Sequence, residues 1–456
     1  MRTILSILCV IIFISAGYAQ KSLSLDKAIT IALHKNTILQ KSKNNLEVTK
    51  SGVRAAVGNF LPTLSASSNW NWNRSEEAGG TINISGTVIP VPASTFESRN
   101  YSGNLVARLT LFDGLSNFAT LSKSKNDLEA SRLDLKRLKQ DIVFQTITLY
   151  YTVIIAKQLL QVREDDLKWN MRNLETVTES NKLGAVTLAD VYAQQVKTGN
   201  SELALIKAQN SFETGKSNLL NYLALDVLEE YKFSGELTPE EKSTLDKKLN
   251  INYKNISQLV SQALNVRTDY QSAQLKLESA NNGITIARSG HFPTLNNTFS
   301  YNLRANRFEN FFDSRTYFVG LSLNIPIFSG FRISNNVQFA EVTALNKDIE
   351  LSDLERVIKL NLQKTYLDLK AADKSLEVNK RNVKAAEETR KIEQERYTLG
   401  SGTLLNVLIA SSDFTNARTN YITAQFEYIK LSKQLKYYLG DLNYKKYEKD
   451  YFKENN

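Results

Sequence analysis

Residue types that usually carry covalent or metal chemistry are scarce in this sequence. The chain has two histidines, His34 and His291, and a single cysteine, Cys9. Neither histidine has a cysteine partner, so a metal site, or a nucleophile with its base and orienting group, cannot be assembled from them. The sequence contains no glycine-rich phosphate-binding loop. We therefore expect a protein that is not an enzyme and that carries no cofactor and no metal.

Two nearly identical polar turns are better candidates for a functional site. KLGAVTLADV occupies positions 182–191, and TLGSGTLLNV occupies 398–407, 216 positions later. Glycine commonly ends a helix in the left-handed conformation, and threonine followed by Asp or Asn three residues later favours the start of the next helix. Capping alone explains these residue types in the simplest interpretation, and a functional contact is the alternative. The turn residues are Leu183, Gly184, Thr187, Leu399, Gly400 and Thr403.

The N-terminal segment indicates export. Arg2 precedes an apolar run at 4–16 and a small-residue pattern at 17–19, which predicts a signal peptide at 1–19. Cys9 lies inside the apolar run after a leucine, so no lipid anchor is expected and the exported chain has no cysteine. The 57 Lys and Arg residues are interspersed with 47 Asp and Glu residues. This mixture is typical of solvated helix faces, and export argues against a nucleic-acid partner.

The sequence is similar to itself in two registers. An offset of 231 aligns Pro62-Thr63-Leu64 with Pro293-Thr294-Leu295, and an offset of 216 aligns Tyr222-Leu223 with Tyr438-Leu439. The registers differ by 15 because one loop is 15 residues longer in the first half. This pattern predicts a duplication. The predicted segments are repeat 1 at 20–225, a connector at 226–257, repeat 2 at 258–440 and a C-terminal tail at 441–456.

Each predicted repeat contains one very long helix. The segments between Gly114 and Gly184 and between Gly330 and Gly400 each contain 69 residues without glycine or proline. They predict helices at 115–183 and 331–399, each about 100 Å long at 1.5 Å per residue. Shorter helices are predicted at about 27–58 and 185–223. Repeat 1 continues beyond the second of these helices to 225. Seven-residue spacing of apolar residues predicts left-handed coiled-coil packing in the first long helix. These residues are Leu121, Leu128, Leu135, Ile142 and Leu149.

Between the helices of each repeat lie two segments with strand periodicity. The predicted strands are at 63–74, 100–112, 294–304 and 316–328. Apolar residues alternate with polar ones over about ten positions, which is typical of strands that cross an outer membrane. A half-buried strand pair in a soluble domain is the alternative. Four strands cannot close a barrel, so a membrane barrel would be shared between chains, with eight strands from two copies or twelve from three. Its polar lumen face would include Asn69, Asn71, Asn104 and Arg108.

These features together resemble the TolC-like outer membrane efflux proteins. The resemblance rests on the repeated order of helix, strand, strand, long helix and short helix, on FLPTL and FPTL at strand entries, on LFDG and IFSG at strand exits, and on the two LG-x-x-T-L-x-[DN]-V turns. It implies a mainly α fold with transmembrane β structure, a homotrimer whose twelve-stranded barrel takes four strands per chain, and a long periplasmic α-helical barrel. The connector would then form the equatorial region.

The resemblance also implies a function, partners and a location. The protein would be the outer-membrane exit duct of a tripartite efflux or secretion system, embedded in outer-membrane lipid and extending into the periplasm. Its partners would be a periplasmic adaptor, or membrane fusion, protein and an inner-membrane transporter of the RND or ABC type. Both efflux and type I protein secretion fit the pattern. An exported coiled-coil adhesin or structural rod is the rival interpretation, and it predicts heptads without membrane-type strands.

The same resemblance implies a gate at the periplasmic helix tips. Asp190 and Tyr397 stand at positions that would form a polar latch, whereas Gly402 stands where the family often has arginine. Asn406 and Ile409 stand where acidic rings would be expected. Two alternatives follow: Asp413, seven residues after Asn406, supplies a displaced acidic ring, or the gate closes by narrowing and dewetting.

Overall fold

The computed structural model describes residues 21–233 and 256–448, together with the single positions 243 and 245. The predicted signal peptide, most of the predicted connector after 233 and the last eight residues of the tail lie outside the described residues. The chain divides into two compact units. The tip unit comprises Met1–Asn44, Leu133–Gln271 and Leu354–Asn456. The sheet unit comprises Asn45–Arg132 and Ser272–Asp353.

Helices account for most of the described residues, and they come in pairs of equal length. The pairs contain 11, 22, 67 and 35 residues per helix. The first half of the chain contains α1 (Leu25–Lys35), α2 (Thr37–Gly58), α3 (Ser116–Lys182) and α4 (Leu188–Tyr222). The second half contains α5 (Ile256–Val266), α6 (Thr268–Ser289), α7 (Arg332–Thr398) and α8 (Leu404–Tyr438).

The first short helix is not continuous, contrary to the prediction of one helix at about 27–58. Asn36 separates α1 from α2 and is only 4 % exposed. Its side-chain Oδ1 accepts hydrogen bonds from the backbone N–H groups of Ile38 (3.0 Å) and Leu39 (3.2 Å). An asparagine that caps its own following turn competes with the helical hydrogen bonds at that point. The chain therefore ends one helix and starts another at Asn36.

Four strands of the sheet unit form one antiparallel sheet. They are β2 (Thr63–Glu77), β5 (Ser94–Phe112), β7 (Thr294–Ala305) and β8 (Arg315–Asn324), in the order β2-β5-β7-β8. Two strands of the long loop, β3 (Gly80–Ile84) and β4 (Thr87–Val91), form a separate hairpin. A further pair, β1 (Lys21–Leu23) and β6 (Tyr231–Phe233), is parallel and belongs to the tip unit.

Three strand boundaries differ from the sequence prediction. Pairing of β2 with β5 continues to Glu77 opposite Ser94, well past the predicted limits of 74 and 100, and an Arg74–Glu97 ion pair of 3.4 Å joins the strands there. Charged residues interrupt the apolar alternation in this region, so the pattern alone could not reveal the pairing. In contrast, β8 ends at Asn324 rather than at 328. Pro326 lacks the N–H that would continue the ladder.

The strand register places alternate residues on opposite faces of the sheet. Trp70 pairs with Tyr101, and Tyr301 pairs with Tyr317, on the face that carries most apolar residues. The aromatic rings of each pair are 6.4 and 5.0 Å apart. In the described part of the chain, β2 and β8 each pair on one side only. The sheet of a single chain therefore has two open edges.

The middle of α3 lies in the core of the tip unit. Ile142 and Tyr151 are each 2 % exposed, and they belong to a cluster with Leu219 and Leu220 of α4 and Phe426 of α8. Among the described helices, α3 alone is long and apolar enough to cross a membrane, and 44 % of its qualifying stretch is buried. Core helices meet the same criterion, and the burial of Ile142 and Tyr151 accounts for the apolar composition of this one.

A largely buried ion-pair cluster in the tip unit joins α3, the start of α6 and the end of α8. Arg267 donates to both carboxylate oxygens of Asp269 at 3.0 and 2.5 Å, and Arg137 lies 3.7 Å from the same carboxylate. Burial opposes ionisation of Asp269, but these guanidinium groups outweigh it and lower the pKa of Asp269. Asp141 accepts from Arg137 (3.0 Å) and from the Tyr437 hydroxyl (2.9 Å), yet burial raises its pKa. The two carboxyl groups therefore differ in how well their charged forms are stabilised.

Candidate gate and lumen face

The first predicted turn forms a compact connection between α3 and α4. Gly184 has a φ of +73°, and the N–H groups of Gly184 and Ala185 donate to the carbonyls of Asn181 and Ser180, both at 2.9 Å. This pattern is a Schellman motif, which satisfies carbonyls at the end of a helix. Thr187 then caps α4, and the Asp190 side chain accepts from the Thr187 N–H at 3.0 Å, completing a capping box.

The second turn has the same helix-ending motif as the first, but Thr403 lacks the reciprocal side-chain bond of a capping box. Gly400 has a φ of +74°, and the N–H groups of Gly400 and Ser401 donate to the carbonyls of Tyr397 (3.0 Å) and Arg396 (2.8 Å). Thr403 caps α8 by accepting from the Asn406 N–H at 3.3 Å. A Cβ atom at Gly402 would approach backbone atoms of Arg396 and Tyr397 to within about 3.1–3.2 Å. A larger residue at 402 would therefore need this turn to shift.

Asp190 and Tyr397 line one cavity between the two turns, but no hydrogen bond joins them. The cavity has a volume of about 520 Å³. The Tyr397 hydroxyl is buried and has no hydrogen-bond partner, and burial together with the charge of Asp190 raises its pKa. One Asp190 oxygen is already occupied by the Thr187 N–H and by the Thr187 hydroxyl at 2.7 Å. In one chain, Asp190 thus serves as a capping residue, and the Tyr397 hydroxyl is left unpaired.

The other predicted gate residues lie along α8. Asn406 and Ile409 are exposed, Ile409 by 52 %. Asp413 is also exposed, and it lines a groove between α7 and α8 with Asn416 and Asn420. Ile409 and Asp413 are four residues apart on a helix and therefore share a face.

Sequence reasoning missed a buried polar network behind this region. Asp166 of α3 is 9 % exposed and accepts from Ser201 of α4 (2.7 Å) and from Thr415 of α8 (2.8 Å). Asn170 donates to Ser201 at 2.9 Å and accepts from Gln194 at 3.2 Å. The sequence feature that could have revealed this network is the helical spacing of polar residues at 166, 170 and 173 on α3. Because every carboxylate oxygen of Asp166 has a donor, the network fixes α3, α4 and α8 in one register.

The predicted lumen residues share one face of the sheet. Asn69 pairs with Ser102, Asn104 pairs with Asn302, and Arg108 pairs with Thr298. Asn71, two residues after Asn69, lies on that face as well. All four predicted residues are exposed in the single chain. The aromatic pairs and the leucines of β5 point to the opposite face.

No group of three His, Cys, Asp or Glu side chains with metal-binding geometry occurs among the residues that the structure describes. The polar groups of the tips and of the lumen face are hydrogen-bonding and electrostatic groups.

A mainly helical chain with paired helix tips and a small antiparallel sheet has the fold of outer-membrane channels. The outer membrane protein VceC from Vibrio cholerae matches with a TM-score of 0.78 at 17 % identity, over 91 % of this chain and 96 % of that chain. The chain belongs to the outer membrane efflux protein family, whose model matches residues 28–225 and 259–441. It is accordingly a protein of the outer membrane that extends into the periplasm and acts as an exit duct.

Two relatives show the range of the family. The outer membrane protein TolC of Salmonella enteritidis is 21 % identical over 426 residues, which cover 90 % of this chain and 80 % of TolC. The proteases secretion protein PrtF of Dickeya chrysanthemi is 20 % identical over 453 residues, which cover 97 % of this chain and 93 % of PrtF. These matches confirm the resemblance that the repeats and turns indicate, and they favour a channel over the adhesin alternative.

Proposed function

We propose that three copies of this chain form one duct, with a twelve-stranded barrel in the outer membrane continued by a barrel of helices in the periplasm. The supporting observation is the four-stranded sheet with open edges at β2 and β8. An unpaired strand edge cannot persist in lipid because its N–H and C=O groups lack partners. Strand directions alternate across the sheet, so β2 of one copy can pair antiparallel with β8 of the next. Asn69, Asn71, Asn104 and Arg108 would then line the lumen.

Exposed apolar residues on two helices support the same assembly. On α4, steps of 4, 4, 7 and 3 separate Leu188, Tyr192, Val196, Leu203 and Ile206, all more than half exposed. On α7, steps of 3, 7, 11 and 14 separate Val357, Leu360, Leu367, Val378 and Ile392. These steps are sums of three and four, the spacing of a coiled-coil seam. Contact of α4 in one copy with α7 of the next would bury both stripes.

The matched helix lengths support an origin by duplication. Repeat 1 at 20–225 and repeat 2 at 258–440, joined by a connector, would contribute equivalent pairs of strands and helices to the duct. The two repeats differ mainly in their strand pairs, because the β2–β5 hairpin of repeat 1 is longer and carries the β3–β4 extension. It lies on the strand side, where a loop can lengthen without disturbing the helices.

We propose that the helix tips form the gate. The buried Tyr397 hydroxyl has no partner in its own chain, so a group from a neighbouring copy would satisfy it in the closed duct. Ile409 and Asn406 would narrow the opening, and Asp413 would add a ring of three carboxylates.

Tyr397→Phe should raise single-channel conductance if the hydroxyl latches the gate. Tyr421→Phe on the same chain is the control, because it lies away from the tips. Asp413→Asn should relieve block by multivalent cations, and unchanged block would exclude the acidic ring.

We propose that the tips also bind a periplasmic adaptor, which couples the duct to an inner-membrane transporter of the RND or ABC type. Leu183 and Leu399 are 84 % and 81 % exposed, so each turn presents an apolar side chain that an adaptor could cover. Gly184 and Gly400 leave open space beside them. Leu183→Asp with Leu399→Asp should abolish adaptor capture and leave conductance unchanged. The matched control is Leu228→Asp, because Leu228 is 88 % exposed away from the tips.

Particle mass and conductance test the duct itself. The protein should be extracted from outer membranes in detergent, and its mass and shape measured by electron microscopy and light scattering. We expect a hollow trimer that conducts ions in a planar bilayer. A monomer, or a rod without conductance, would overturn the proposed duct. The family is named for efflux and the relative PrtF for protease secretion, so both cargo classes stay open. Deletion strains scored for drug sensitivity and for secreted protein would separate them.

A further inference from the structure

A cleft in the tip unit is lined by four cationic side chains and two aromatic ones. Lys168, Trp169 and Arg172 come from α3, Arg390 comes from α7, and Phe414 and Arg418 come from α8. The cleft has a volume of about 570 Å³. That volume lies within the range of about 300–1,000 Å³ that is common for sites of small molecules.

The charges of the cleft are not balanced. Arg418 pairs with Asp165 at 3.0 Å, and Glu387, the other acidic residue of the lining, lies 3.8 Å from Lys391 outside it. Lys168, Arg172 and Arg390 have no ion-pair partner within the described part of the chain. The four cationic side chains of the lining outnumber its two acidic ones, Asp165 and Glu387, and a bound anion would reduce this excess of positive charge.

The two guanidinium groups deepest in the cleft are held in place by one ring. Arg390 stacks over Phe414 with 4.1 Å between its guanidinium carbon and the ring centroid, and Arg418 lies 5.7 Å from the same centroid. Phe414 is itself 8 % exposed, so it is anchored by packing. Partial burial lowers the pKa of Arg390; the charge of Glu387 opposes this shift, and the charge of Arg418 adds to it. Because the stacking fixes Arg390 in advance, an anion would bind without first ordering that side chain.

We propose that this cleft binds a small organic anion, whose carboxylate or phosphate contacts Arg390, Arg172 and Lys168 and whose apolar body packs against Trp169. Arginine offers planar donors that match a carboxylate or phosphate. Trp169 supplies an aromatic face beside the charges. The proposal concerns a ligand site in a single chain and does not depend on the trimer or on the gate.

Tryptophan fluorescence provides a direct test, because the chain has three tryptophans and only Trp169 lies outside the strands. In a Trp70→Phe, Trp72→Phe background, the purified full-length protein is titrated with benzoate and with inorganic phosphate. Chloride at equal ionic strength is the control titration. We expect a saturable change in Trp169 emission with benzoate or phosphate, and none with chloride.

Matched variants locate the response. Arg390→Gln or Arg172→Gln should weaken benzoate binding by about tenfold, the effect of losing one charged hydrogen bond. Lys207→Gln removes an exposed and unpaired charge of α4 and should leave binding unchanged. Saturation-transfer NMR of benzoate on protein with all three tryptophans gives the same comparison if the double-Phe background folds poorly. A response that does not saturate, or that persists in both arginine variants, would overturn the proposal.

Discussion

At the scale of single residues, this protein uses buried polar groups to fix the arrangement of very long helices. Asp166 and Asp141 accept hydrogen bonds from more than one element of the tip unit, and Asp269 forms ion pairs with Arg267 and with Arg137 of α3. Apolar heptads alone allow neighbouring helices to slide by a turn, because one leucine replaces another. A buried carboxylate with specific donors does not allow such a slide, since the move would leave a charge unpaired.

Asp269→Asn should destabilise the tip unit by about 3 kcal/mol at neutral pH, because it leaves Arg267 and Arg137 without their shared carboxylate. The side chains of these arginines are 5 % and 10 % exposed. Thermal unfolding of the detergent-solubilised protein, followed by circular dichroism, measures the loss. Asp141→Asn is the matched control, and its cost should be smaller because burial already raises the pKa of Asp141 and disfavours its charged form.

The cost of Asp269→Asn should depend on pH. The folded state lowers the pKa of Asp269, so its carboxylate contributes stability above the usual carboxyl pKa of about 4. That contribution is lost as the pH falls through the lower, folded pKa. The difference between wild type and variant should therefore be constant near neutral pH and shrink below about pH 4. A difference that grows on acidification would contradict this assignment.

At the scale of elements, the two tip turns share an ending but differ in the strength of their caps. Thr187 forms a reciprocal capping box with Asp190, whereas Thr403 only accepts from the Asn406 backbone. Both glycines adopt the left-handed conformation that a Schellman ending requires. The first turn is therefore the more firmly held, and the second has more freedom to move if the tips open.

Thr187→Ala should loosen the start of α4 by about 1 kcal/mol, and Thr403→Ala should loosen α8 by less. Hydrogen–deuterium exchange of the first turn of each helix measures the effect locally. Thr152→Ala is the control, because Thr152 is an exposed threonine that bonds only within α3. Equal effects at both caps would mean that the Asp190 half of the capping box contributes nothing.

At the scale of the whole molecule, the proposed duct requires that other copies complete the sheet. Within one chain β2 and β8 are separated by β5 and β7, so three strand spacings of about 4.8 Å place them roughly 14 Å apart. A disulfide requires Cα atoms within about 7 Å. A cross-link between these strands would therefore report contact between two copies.

Ser65→Cys on β2, combined in turn with Thr316→Cys, Phe318→Cys, Gly320→Cys or Ser322→Cys on β8, should give disulfide-linked dimers and trimers at one register. The sequence has one cysteine, Cys9, and it lies in the predicted signal peptide, so removal of that peptide would leave a chain without other thiols. Non-reducing electrophoresis of intact outer membranes measures the products. Ser65→Cys with Ser211→Cys on α4 is the negative control. If only monomers are found for all four cysteine pairs, the result would contradict a barrel shared between copies.

Much of the architecture could be predicted from the sequence because the relevant signals are local. The absence of glycine and proline predicts helices at 115–183 and 331–399, and the structure has them at Ser116–Lys182 and Arg332–Thr398. Strand periodicity and the glycine-threonine turns are likewise set by neighbouring residues. The resemblance to the family rests on these local signals and their repetition at matching offsets, and the family match confirms it.

Other features depend on contacts between residues far apart in the chain, and only the tertiary structure decided them. The extension of β2 and β5 to Glu77 and Ser94 and the Asp166 network each involve partners that no local pattern specifies. The structure also shows that the Asp190 carboxylate caps its own helix while the Tyr397 hydroxyl stays buried and unpaired. Sequence determines which residues can form helices, strands and caps, because those preferences are properties of short segments. Which polar groups meet is decided by packing, because burial requires each of them to find a donor or acceptor wherever the fold brings one.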